Sequence, residues 1–202
     1  MDGDLVEVVA AALLAGEAVV LPTDTVYGLV AVAGDRRAAG RLFDLKGRDH
    51  DVPLAVLCAS TDQALSLTGD ETSPAVAAVA SAFWPGPLTL VVARRAGVEL
   101  HLGEPASTVG LRVPDHELVR ALAARVGPLA ATSANLHGQP APTTADEVVA
   151  TFGSGVAMVV DGGHLDATAS TVIDATGWPW SVLRPGPISP NQVFSVAEGV
   201  RR

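Results

Sequence analysis

Turn-forming residues cut the apolar residues of this chain into short runs, and the order of those runs constrains the fold more than any other feature. Runs with strand character cover 18–21, 29–33, 54–58, 87–93, 109–113, 129–131, 156–160, 171–174 and 182–184. Between some of them lie helical patterns. Asp4 can cap a helix over 5–15 that Gly16 closes, and Asp35 can cap one running to about Leu45. Further helices are expected over 62–67, 74–83, 115–126 and 145–152, with a short one after Ser189. Leu118, Leu122 and Val126 share one face of the fifth. Strands and helices alternate irregularly, and some strands follow one another directly. That order predicts an α/β fold with a mixed sheet and helices packed on it, not a doubly wound parallel sheet.

The 202 residues suit a single domain over 1–202, with its core at about 5–190. The apolar runs fall short of the roughly 18 to 20 residues of a membrane span. The opening Met-Asp-Gly-Asp has no basic stretch of the kind a signal peptide carries. Cys58 is the only cysteine, so no internal disulfide can form. A cytoplasmic protein with no membrane contact is the simplest expectation.

A net charge of −9 is unfavourable for general nucleic-acid binding, which depends on neutralising phosphates. Arg36, Arg37, Arg41, Lys46 and Arg48 could form a local basic patch or a solvated helix face. Lys46 is the only lysine among thirteen cationic residues, which makes its position informative.

Phosphate-binding loops of the G-x-x-x-x-G-K-[ST] type, the dinucleotide G-x-G-x-x-G and the H-E-x-x-H zinc motif are all missing. Neither Ser133 nor Ser154 sits in a nucleophile elbow. His116 and His164 could act as general bases or simply be solvated.

Six segments offer chemistry. Pro22 to Leu29 concentrates hydroxyls and the Asp24 carboxylate in a loop, where they could meet a polar ligand or satisfy their own turn. Lys46-Gly47-Arg48 could close on a polyphosphate, but taken alone it reads better as a helix C-terminus with Gly47 as the cap. Trp84-Pro85-Gly86-Pro87 suggests a rigid corner or a pocket wall. Arg112, inside the apolar strand of Leu111-Arg112-Val113-Pro114, needs a partner and is a candidate carboxylate clamp. Ala131-Thr132-Ser133-Ala134-Asn135 combines small residues with hydrogen-bonding groups at a strand end. Ser170-Thr171 is followed by Arg184-Pro185-Gly186, another cation before a turn.

In this order and spacing, the segments resemble the YrdC-like family of L-threonylcarbamoyladenylate synthases, in its short form. The resemblance implies an α/β sheet twisted around an open cavity. It also implies a reaction, in which L-threonine, bicarbonate and ATP give threonylcarbamoyl-AMP and pyrophosphate for the threonylcarbamoyladenosine of tRNA. By the same resemblance, Thr25, Arg112, Ala131 and Ser170 meet threonine, and Arg48, Thr108, Ser133 and Arg184 meet the nucleotide. Lys46 belongs with Arg48 as a catalytic cation on the phosphates, and Asn135 belongs to the nucleotide side. Mg²⁺ is expected with ATP, with no protein metal site. A transferase complex is expected downstream, with at most weak contact to tRNA. Two positions depart from the pattern. Val52 stands where relatives often carry a polar residue and Leu57 where they often carry histidine, which leaves threonine selectivity open. A relative with a different adenylation or carbamoyl activity, and a non-catalytic RNA-binding module, are the alternative readings.

Overall fold

The computed structural model describes residues 3–69, 72–166 and 168–201. The two ends of the expected 1–202 domain, Met1-Asp2 and Arg202, lie outside them. Among the described residues, nine strands form one mixed sheet. In chain order they are β1 (Val19–Leu21), β2 (Gly28–Val32), β3 (Ala55–Leu57), β4 (Leu88–Ala93), β5 (Thr108–Arg112), β6 (Leu129–Ser133), β7 (Met158–Val159), β8 (Thr171–Asp174) and β9 (Ser181–Arg184). Their spatial order is β7-β1-β2-β6-β3-β5-β4-β8-β9. Parallel pairs (β1 with β7, β3 with β5, β4 with β8) are interleaved with antiparallel ones, as the irregular alternation of elements predicts.

The helices are α1 (Gly3–Leu14), α2 (Arg36–Lys46), α3 (Thr61–Ser66), α4 (Pro74–Phe83), α5 (Glu117–Val126), α6 (Ala145–Phe152) and α7 (Pro190–Gly199). Their starts follow the expected chemistry in most cases. Asp35 accepts from the amides of Arg37 and Ala38 at the head of α2, and Thr144 accepts from Glu147 at the head of α6. Asp4 instead lies inside the first turn of α1, where its charge suits the helix dipole. The strand expected over 156–160 shortens to Met158–Val159.

Alternating strand residues feed two cores. Val20, Leu29, Ala31, Val56, Ala130, Leu90 and Ile173 face one side, where residues of α2, α4, α6 and α7 join them. Val19, Leu21, Val30, Leu57 and Leu129 face the other, beneath α1 and α5. These two helices cover the β1–β2–β6–β3 half of that second face. From the ends of β2, β6 and β3 across β5, β4 and β8, the same face opens into a cavity of about 400 Å³. Its floor is made of small side chains in register: Gly28 beside Ser133, Ala55 beside Ala131 and Gly110, and Gly110 beside Val91.

Candidate active site

Arg112 ends β5 and points into this cavity, 6 % exposed. Three groups fix it. Nε donates to the carbonyl of Gly86 at 3.1 Å, Nη1 to Thr25 Oγ1 at 2.9 Å and Nη2 to Asp24 Oδ1 at 2.5 Å. Burial pushes its pKa down, and Asp24 opposes that shift. A guanidinium has five N–H bonds, so two are left over for a ligand. The Trp84-to-Pro87 segment is the corner that the sequence suggests, and it has a second task. Trp84 Nε1 donates to the Leu88 carbonyl at 2.7 Å, Gly86 N donates to Val113 O at 2.8 Å, and the Gly86 carbonyl receives Arg112. A Cβ on Gly86 would stand 2.6 Å from the Phe83 carbonyl oxygen, so the corner needs glycine.

The Pro22-to-Leu29 loop closes its own turn and also faces the cavity. Thr23 Oγ1 closes the turn on the amides of Thr25 and Val26 and donates to the Val26 carbonyl, while Thr25 faces Arg112 across the cavity. Ala131 lines the same end. Opposite, Ser170 Oγ accepts from Arg184 Nη2 at 3.0 Å and lies 2.9 Å from Thr89 Oγ1. Arg184 also donates through Nε to the Ser170 carbonyl. This contact depends on the Pro185-Gly186 turn lying flat on β8, since a Cβ on Gly186 would come within 2.3 Å of Thr171 N.

At the end of α2, Gly47 adopts the left-handed conformation (φ 59°) and sends its two neighbours in different directions. Arg48 reaches the cavity wall, donating to Thr132 Oγ1 at 3.1 Å and to the Pro53 carbonyl at 3.0 Å. Its Nε is buried with no hydrogen-bond partner among the described residues, and burial with the nearby charge of Arg184 lowers its pKa. Lys46 turns away. It is 4 % exposed and is not part of the cavity wall. Its ammonium lies within reach of Ser133 O (2.6 Å), Ser133 Oγ (3.2 Å), Asn135 O (2.9 Å) and Asn135 Oδ1 (3.1 Å). Those acceptors occupy all three of its donors. Lys46 therefore holds the Ser133–Asn135 turn from behind the cavity wall. Asn135 also stands behind the wall, with its amide on the carbonyls of Leu136 and Gln139.

Ser133 and Thr108 line the cavity, as do the two departing positions, Val52 and Leu57. The five cations over 36–48 do not gather into one surface patch. Arg36 and Arg37 are exposed, Arg41 pairs with Glu17, Lys46 is buried and Arg48 faces the cavity. Thr89, Thr132 and Gly110 were not singled out by sequence. Only the strand order β6-β3-β5-β4 brings them to the site, and a single sequence carries no signal of that order. His164 is exposed, away from the cavity wall. The wall's ionisable side chains are Arg48, Arg112 and Arg184.

The family model described as "Telomere recombination" (Sua5, YciO, YrdC) matches residues 11–186. The chain belongs to the Sua5/YciO/YrdC family. A Mycobacterium tuberculosis protein provisionally named threonylcarbamoyl-AMP synthase is 40 % identical over 92 % of this chain and 85 % of its own length. The threonylcarbamoyl-AMP synthase of Pyrococcus abyssi is 37 % identical over 97 % of this chain, which spans 58 % of that enzyme. A solved structure of P. abyssi Sua5 complexed with L-threonine superposes with a TM-score of 0.88 at 38 % identity, over 95 % of this chain and 56 % of that one. The mixed sheet with an open face is thus the Sua5/YciO/YrdC fold.

Proposed function

We propose that the chain is a threonylcarbamoyl-AMP synthase, making threonylcarbamoyl-AMP and pyrophosphate from L-threonine, bicarbonate and ATP for the t6A modification of tRNA. One observation carries the reading. Three guanidinium groups converge on one cavity, and among the described residues only Arg112 has a carboxylate bonded to it. Such a cavity suits two anions, a carboxylate at the Arg112 end and a polyphosphate at the Arg48–Arg184 end. The name shared by relatives at 37–40 % identity supports it.

In this reading Arg112 and Thr25 hold threonine, with Ala131 and Ser170 beside it. The threonine amine combines with bicarbonate to give a carbamate and water. A carbamate oxygen then attacks the α-phosphorus of ATP, forming the mixed anhydride as the bond to pyrophosphate breaks. Arg48 and Arg184 offset charge on the phosphates, with Thr108 and Ser133 on the nucleotide. Arginine does not accept protons at ordinary pH, so the proton lost by the threonine amine goes to a substrate or to water. Positioning and charge stabilisation supply the catalysis. Among the described residues the wall holds no carboxylate that could ligate Mg²⁺, and in this reading the ion enters with the phosphates. The product passes to a separate transferase complex, and any contact of this chain with tRNA is weak.

Mass spectrometry of the product formed from threonine, bicarbonate and ATP tests the reading. Threonylcarbamoyl-AMP, dependent on all three substrates, is expected. Pyrophosphate release indifferent to threonine would point to a different adenylation.

A further inference from the structure

Asp24 and His116 are left with a matching pair of unmet needs. Asp24 Oδ1 accepts from Arg112, but Asp24 Oδ2 is enclosed and has no hydrogen-bond partner among the described residues. His116 Nδ1 is in the same condition. His116 lies just past the turn that follows Arg112 and occupies the N-cap position of α5, yet its side chain makes no capping bond. Helix capping therefore does not account for it. Of the charges that act on the ring, Asp24 is the strongest, ahead of Arg120, Asp115 and Glu117 from its own turn and helix.

A buried carboxylate oxygen needs a donor, and a buried imidazole nitrogen donates only when it carries the proton. We propose that His116 is a positioning residue, which in its Nδ1–H tautomer supplies, through one bridging water, the hydrogen bond that Asp24 Oδ2 lacks. The consequence lies at Arg112. A carboxylate free to turn both oxygens onto a guanidinium takes its fork in two parallel bonds. Held from behind by His116, Asp24 engages Arg112 through one oxygen and leaves donors for the substrate. His116 thereby acts on the carboxylate clamp without touching threonine. This inference rests on the proposal that Arg112 holds the threonine carboxylate.

Two measurements test it. The first is steady-state kinetics of His116→Leu, which removes the donor, and His116→Asn, whose side-chain amide can place an N–H near the same point. With His116→Leu the KM for threonine should rise about tenfold, the scale of one hydrogen bond to a charged group. Its kcat and its KM for ATP should stay within twofold, and His116→Asn should restore most of the threonine affinity. An unchanged threonine KM in His116→Leu, or equal loss in both variants, would overturn the proposal. The second needs no variant. Nitrogen-15 NMR of the wild-type histidines at neutral pH should show His116 protonated at Nδ1, and the Nε2–H tautomer would sink the idea even if His116→Leu failed to fold. If the wild type makes no threonylcarbamoyl-AMP while His116 is an Nδ1–H tautomer, the functional reading fails and the contact survives.

Discussion

Lys46 illustrates what a lone residue can and cannot reveal. Its singularity marked it for attention, and it braces the Ser133–Asn135 turn from behind the wall. The left-handed Gly47 separates the two cations, and no spacing rule distinguishes a Lys-Gly-Arg that points both ways from one that closes on a ligand. Burial first, and then the charge of Arg48, lower the Lys46 pKa from 10.5 to about 8. Below that pH the ammonium holds the Ser133–Asn135 turn, and above it one donor is lost. As pH rises through about 8, nucleotide affinity is expected to fall. Because the chain has one lysine, NMR of selectively labelled lysine gives a single titration curve, which should centre near 8. Arg112 was legible for a sounder reason, since an arginine in an apolar strand must have partners. Arg112→Ala should cost on the order of 10²-fold or more in pyrophosphate release, the scale of a lost transition-state donor. It also strands Asp24 in the interior, which costs about 3–5 kcal/mol of stability in other buried pairs. Adding Asp24→Asn to Arg112→Ala should recover melting temperature but not activity, and calorimetry with the pyrophosphate assay separates the two.

Among the elements, the strands were found nearly to the residue, because alternation and turn signals are local. The order β7-β1-β2-β6-β3-β5-β4-β8-β9 was not legible, because neighbours such as β6 and β2 are far apart in sequence. The site's floor depends on that order. Gly110 becomes significant only once β5 lies between β3 and β4. A Cβ there would meet Thr89 Cγ2 at 3.5 Å and Val91 Cγ2 at 3.8 Å, which are ordinary contacts. Gly110→Ala should therefore fold and remain active. Gly110→Val should fold too, but its added methyls would fill the cavity floor and raise KM for the substrates at least tenfold, as fluorescence melting and steady-state kinetics would show. The motif residues needed no such help to be noticed. Their roles needed the resemblance, since hydroxyls in the Pro22-to-Leu29 loop suit a turn and a ligand equally well.

At the scale of the whole molecule, charge and shape divide the work. A chain of net charge −9 brings three guanidinium groups, from the buried Arg112, the half-buried Arg48 and the exposed Arg184, to one cavity. Small anions can enter that cavity, whereas a polyanionic duplex meets a chain of net negative charge. Binding to tRNA should accordingly be detectable only at low salt and vanish near physiological ionic strength in a filter or gel assay. The burial of Lys46 has one further consequence, for labelling chemistry. Reagents that acylate amines will find no lysine on the folded surface. Loss of structure uncovers one such target at the end of α2. The rate at which Lys46 becomes acylated is thus a built-in clock for the opening of the folded state, readable by peptide mass without any engineered probe.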